Sequence, residues 1–121
     1  VNIVVSGGSS VLHAEMVALM RAQRRAGFYK AGGADGIPTA LYTSAEPCAM
    51  CMGAIPWSGV DRVVCAATDA DVRAVGFDEG DKPADWPSGW RRRGIAVTTG
   101  FLRNEAVAVL HAYQSSGGVV Y

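Results

Sequence analysis

Residues 39–67 read Thr-Ala-Leu-Tyr-Thr-Ser-Ala-Glu-Pro-Cys-Ala-Met-Cys-Met-Gly-Ala-Ile-Pro-Trp-Ser-Gly-Val-Asp-Arg-Val-Val-Cys-Ala-Ala. Thr39 to Thr43 has the composition of a β-strand. Pro47 then opens a helix, because its missing N–H costs nothing in a first turn. Pro56 and Gly59 end that helix. Arg62 to Ala67 is an unbroken apolar run after its first residue, which predicts a strand buried on both faces. Strand, helix, strand in so short a space implies parallel pairing with a helix crossing over.

The pattern extends in both directions. Upstream, Val1 to Val5 reads as a strand, and Ser6 to Ser10 as a loop ending in helix-capping residues. Leu12, Met16, Leu19, Met20 and Gln23 recur at helical spacing, and Gly27 stands where a helix stops. Residues 30–38 form a Gly-rich loop. Downstream, a short helix is expected over 69–75, and 76–90 reads as a long loop of Gly, Pro, Asp and Trp without periodicity. A strand over 95–99 and a helix over 102–115 follow, the latter with Ala106, Val109, Leu110 and Tyr113 on one stripe. Strands alternating with helices predict a three-layer α/β/α sandwich with a mixed, largely parallel sheet. The length of 121 residues predicts one domain over 1–121. Val1 is not an initiator methionine, so N-terminal elements upstream of it are expected to be missing.

Half of the residues are hydrophobic, and 11 basic residues balance 11 acidic ones. That balance favours a small-molecule substrate and argues against a nucleic-acid partner, which calls for excess Lys and Arg. No apolar run is long enough to span a bilayer, and a cytoplasmic location is expected. Three cysteines cannot all pair, and in a reducing compartment a CxxC favours metal or redox chemistry.

The chemistry centres on His13-Ala14-Glu15 and Pro47-Cys48-Ala49-Met50-Cys51. Cys48 and Cys51, three apart at a helix start, face the same way. With His13 they make three ligands for Zn²⁺, and a catalytic zinc site keeps its fourth position for water. Glu15 is two residues from His13, about 200° around a helix, so the two serve different roles over the first turn. His13 is expected to bind metal and Glu15 to carry the proton. A non-catalytic structural zinc module is the competing reading and needs a fourth protein ligand. Only Cys65, in mid-strand, and His111, in the last helix, are available for that.

HAE followed by PCxxC resembles the signature of the cytidine deaminase-like superfamily. Within it the chain is most similar to bacterial guanine deaminases of the nucleoside/nucleobase deaminase type. Leu41-Tyr42-Thr43-Ser44, Gly53-Ala54-Ile55, Gly76-Phe77-Asp78 and the C-terminal tyrosine carry that likeness. The resemblance implies one zinc ion per subunit and a nucleobase pocket built from Asn2, Ala14, Trp57, Phe77, Asp78, Glu79 and Tyr121. Asn2 would contact the base, Asp78 and Glu79 would accept from guanine N–H groups, and Trp57 would border the ring. It also implies a homodimer with exchanged C-terminal tails, Tyr121 acting on the partner's pocket. Pro56, just after the zinc motif, departs from the family pattern, and so does the absence of a preceding helix and strand.

The implied activity is hydrolytic deamination of guanine to xanthine and ammonia by a zinc-activated water, with Glu15 as proton shuttle. Aminotriazines such as ammeline present a similar edge. A tRNA adenosine deaminase or a cytidine or deoxycytidylate deaminase shares both motifs. For RNA, Arg91-Arg92-Arg93 is the one basic cluster to offer phosphate contacts.

Overall fold

A computed structural model describes all residues, 1–121. In chain order the elements are α1 (Val4–Gly7), α2 (Ala14–Ala26), β1 (Ala40–Ala45) and α3 (Ala49–Ala54), followed by a 3₁₀ turn over Ile55–Trp57. Then come β2 (Arg62–Ala67), α4 (Asp69–Ala74), α5 (Trp86–Arg92), β3 (Ala96–Thr98) and α6 (Arg103–Ser115). The three strands form one sheet in the order β1-β2-β3, and both pairings are parallel, so the expected mixed sheet is wholly parallel. Leu41 stands opposite Val63 and Thr43 opposite Cys65.

Side chains alternate across a strand, so Val63 and Cys65 share one face of β2 and Val64 takes the other. Val63 and Cys65 are fully buried in a cluster with Leu19 of α2, Cys51 of α3 and Trp86 and Trp90 of α5. Each large aliphatic side chain buried this way contributes about 1.5–3 kcal/mol. α6 packs against β2 and α4, and none of its residues belongs to that cluster. Helices thus cover the sheet as a layered α/β arrangement. No helix is long and apolar enough to cross a membrane.

Two expected elements are different. Val1 to Val5 is not a strand: Val4–Gly7 makes a single helical turn closed by Gly8 at φ 62°. A strand needs a partner edge, and here the Asn2 side chain accepts from Val4 N–H while Ile3 N–H bonds to Leu12. The expected 76–90 loop ends early, at Asp85, because α5 begins at Trp86. Trp86 and Trp90, four apart, meet edge to face at 4.8 Å, both buried, and this pair anchors a helix too short to show periodicity. Smaller shifts follow from caps. Pro47 precedes the cap of α3 rather than opening it, and Cys48 is the cap. The last helix has no buried residue, and its stripe residues Val109, Leu110 and Tyr113 line a cavity instead.

Candidate metal and catalytic site

The two motif segments meet at helix beginnings. His13 caps α2 and Cys48 caps α3, both with extended backbone (ψ 156° and 170°). Neither side chain makes a capping hydrogen bond to its helix, although the N–H groups of Met50 and Cys51 face the Cys48 sulfur. A capping residue ordinarily spends its side chain on the first turn's N–H groups; these two are kept for another purpose. Cys51, one turn into α3, is fully buried on the same side. The ligating atoms of His13, Cys48 and Cys51 all lie within 4.8 Å of one another, and Cys48 Sγ is 3.4 Å from His13 Nδ1. Two thiols and an imidazole converging from two helix starts form a donor set that suits Zn²⁺.

The thiols share their protons unequally. The hydrogen bond from Cys51 holds the Cys48 thiol at about 5 against burial, helped by backbone N–H groups and His13. The same bond, with burial, pushes Cys51 up. Cys48 is thus the more acidic of the pair, and both thiols would have to give up their protons to hold a metal ion. Cys65, in mid-β2, is buried and its thiol is pushed up to about 11 by that burial, so it is an inert core residue. His111 is exposed on α6. Neither joins the cluster of three, so the fourth ligand that a structural zinc module needs is not supplied.

Glu15 sits at the second residue of α2, beside the cluster but outside the ligand set. Burial raises its carboxyl above the ordinary 4.5, partly offset by a backbone N–H. It lines a cavity of about 770 Å³ together with His13 and Cys48.

Six of the seven residues expected to contact substrate line that same cavity: Asn2, Ala14, Phe77, Asp78, Glu79 and Tyr121. Glu79 is buried, and burial raises its carboxyl while the Lys82 ammonium opposes the shift. Its loop is stitched to α3 by Ala49 N–H donating to Glu79 O at 2.9 Å. Gly80 makes this approach possible: its φ is +66°, and a Cβ there would lie 2.9 Å from that of Ala49. Asp78 is exposed and its carboxylate accepts from Gly80 N–H at 2.8 Å, so it serves the loop's own turn. The tail reaches the pocket of its own chain. Asn2 Nδ2 donates to the Tyr121 hydroxyl, and the Tyr121 ring meets His13 at 5.8 Å and Phe77 at 5.5 Å, both edge-on. Tyr113 holds the tail by donating to Val119 O at 2.8 Å.

Trp57 is the exception. It is 74 % exposed and outside the cavity, with the Arg93 guanidinium 5.3 Å over its ring. Pro56 turns the end of α3 into a 3₁₀ turn and carries Trp57 away from the site. Two residues at or behind the cavity wall were not anticipated. Glu46 lines the cavity and accepts from Asp69 N–H at 3.1 Å; its place directly before Pro47-Cys48 was an available signal. Lys82, buried beside Glu79, has no signal in a sequence, where it reads as a loop lysine.

The pattern of the cytidine and deoxycytidylate deaminase zinc-binding region matches residues 1–67. The chain belongs to that family. This deaminase-family chain is 39 % identical over 90 residues to the guanine deaminase of Bacillus subtilis (strain 168), covering 69 % of the chain and 54 % of that relative. It is 38 % identical over 76 residues to the tRNA-specific adenosine deaminase of Buchnera aphidicola subsp. Schizaphis graminum, covering 63 % and 47 %. Among solved structures, NE0047 in complex with 2,6-diaminopurine superposes with a TM-score of 0.92 at 51 % identity, covering the whole chain and 64 % of that one. A guanine deaminase from Nitrosomonas europaea gives 0.90 at 50 % identity, covering 95 % and 63 %. The chain thus spans about half the length of the curated relatives it matches, and under two thirds of the solved chains.

Proposed function

We propose that this chain, as one catalytic domain, carries out the hydrolytic deamination of guanine to xanthine and ammonia. One observation carries the choice of substrate: a second buried carboxylate, Glu79, lines the cavity that holds Glu15 and the metal set. A buried carboxylate accepts hydrogen bonds, and it matches a substrate edge rich in N–H donors such as that of guanine. The guanine deaminases among the similar proteins support the same reading.

His13, Cys48 and Cys51 would hold the zinc, which supplies Lewis acidity and lowers the pKa of water to roughly 7. Glu15, beside the ligands and with a raised pKa, takes the water's proton. It delivers that proton to a ring nitrogen, then takes the remaining proton of the added hydroxyl and gives it to the departing amine, so ammonia leaves and the water's oxygen stays as the carbonyl. Glu79 accepts from the base's N–H groups, Asn2 and Tyr121 add polar contacts, and Ala14 and Phe77 pack against the ring. Asp78, held by its own loop, has an indirect part. The Arg91-Arg92-Arg93 run does not line this cavity, which leaves the tRNA reading without a phosphate contact at the site.

We place the enzyme as a homodimer with exchanged tails. α6 buries none of its residues, and Phe101, Leu102 and Val109 are exposed. Tyr121 from a second chain would make the contact that Tyr121 makes here within one. Mixing a Glu15→Gln protein with a Tyr121→Ala protein tests this, since only exchange rebuilds a complete site. A cytoplasmic location fits the three free cysteines.

The deciding experiment measures ammonia release from guanine, ammeline, cytidine, deoxycytidylate and a tRNA anticodon stem-loop in parallel. Guanine is expected to lead in kcat/KM by at least about tenfold, the scale set by one well-used polar contact. Faster turnover of cytidine, deoxycytidylate or the stem-loop adenosine overturns the guanine reading.

A further inference from the structure

One buried cation has no part in the chemistry above. Lys82 Nζ lies 2.5 Å from Asp69 Oδ1, 3.0 Å from Pro47 O and 3.2 Å from Glu79 Oε2, and its side chain is 5 % exposed. These oxygens belong to three separate segments. Asp69 begins α4, Pro47 precedes the metal-ligating cap of α3, and Glu79 stands in the cavity wall.

We propose that Lys82 is a positioning residue that ties the Glu79 carboxylate to the metal helix and leaves one of its oxygens for the substrate. The inference rests on Glu79 accepting from the base. Oε2 is taken by Lys82, and Oε1 has no partner within the chain. Substrate recognition by a carboxylate needs that group ionised and fixed in place, and both needs are met by one ammonium at hydrogen-bond distance. Anchoring to Pro47 O couples the distance between Glu79 and the metal ligands to the backbone beside Cys48. A surface lysine would not do this, since an exposed pair is worth little; this one is enclosed.

Removing Lys82 is expected to leave the fold in place. Asp69 keeps Arg73 Nε at 2.7 Å, and the Glu79 loop keeps its backbone bond to Ala49. Lys82→Met strands Asp69 Oδ1 as well as Glu79 Oε2, and the double variant below separates the two, because only the Glu79 part is lost in the Glu79→Gln background.

The test uses the zinc-loaded full chain as wild type, Lys82→Met, Lys82→Arg, Glu79→Gln and the Glu79→Gln/Lys82→Met double variant. Zinc per chain, affinity for 2,6-diaminopurine, and kcat and KM for guanine are measured. Lys82→Met is expected to keep its zinc, to bind about tenfold or more weakly, as for loss of a charged hydrogen bond, and to change KM more than kcat. Lys82→Arg recovers most of the affinity. In the Glu79→Gln background Lys82→Met adds less than about twofold, the mark of two residues acting as a unit. A merely structural lysine would weaken both backgrounds equally, and that result overturns the proposal. So does wild-type binding by Lys82→Met beside a weakened Glu79→Gln, which leaves the Glu79 reading standing. An unweakened Glu79→Gln overturns the Glu79 reading and this inference with it. Lys82→Gln, which keeps donors without charge, carries the same comparison if the methionine variant loses zinc.

Discussion

Glu15 and Glu79 are both carboxylates raised by burial, yet they stand in different company. Glu15 is beside two thiols and an imidazole; Glu79 is beside a lysine. The first environment suits a group that gains and loses a proton in each turnover, the second a group that stays charged. Glu15→Gln keeps size and polarity but cannot carry a proton. It is expected to lower kcat for guanine by about 10²–10⁴ with zinc content unchanged, measured by ammonia release and metal analysis. A rate within tenfold of wild type sinks Glu15 as proton carrier. Glu79 makes a separate prediction through pH. Burial lifts its carboxyl above the ordinary 4.5, so it protonates at a higher pH than an exposed glutamate and then ceases to accept from the base. KM for guanine should rise as pH falls toward that raised value, and Glu79→Gln should abolish this rise. A KM profile that keeps its acid limb in Glu79→Gln assigns the limb to another group.

The elements that bear the chemistry show how far a single sequence carries. α2, β2 and α6 were legible almost to the residue, because each has a strong period or an unbroken apolar run bounded by Gly or Pro. Val1–Val5 and 86–92 were not, for opposite reasons. The first has strand composition but no neighbouring edge, and the second has one aromatic pair where periodicity needs two turns. α4 offers a test at this scale. Thr68 caps it in a reciprocal pair: Asp71 N–H donates to Thr68 Oγ1 at 3.4 Å, and Thr68 N–H to Asp71 Oδ2 at 2.8 Å. Arg103 of α6 donates twice to Asp71, at 2.7 and 2.6 Å. Thr68→Ala removes the cap and should cost about 1 kcal/mol in urea unfolding, with guanine turnover at 25 °C unchanged. A loss below a few tenths would mean that Arg103 alone holds the helix start. Arg103 keeps Asp71 below its ordinary 3.8, so this link persists at neutral pH and is lost only as acidification passes below that value.

At the scale of the whole molecule, the grouping of His13, Cys48 and Cys51 with Glu15 beside it is readable because each motif is local, falling within five residues. Lys82 is not, since its partners are 3, 13 and 35 positions away and only the fold brings them together. Trp57 lies outside the cavity for a related reason, a 3₁₀ turn whose direction no period encodes. The same geometry makes the metal a structural link. His13 begins one helix and Cys48 and Cys51 begin another, so an ion between them ties two helix starts whose capping residues have 34 residues of chain between them. A ligand that binds only the folded state stabilises by RT ln(1 + [L]/Kd), about 2.7 kcal/mol at one hundred times Kd. For a domain of this size that corresponds to roughly 10 °C in Tm. Chelation should therefore lower Tm by about that amount, zinc should restore it, and His13→Ala should remove the difference between the two conditions. The check is a thermal melt on protein whose metal content is assayed in the same sample. An unchanged Tm after verified loss of zinc would mean that the two helix starts are held together without the ion, and that its role is confined to the reaction.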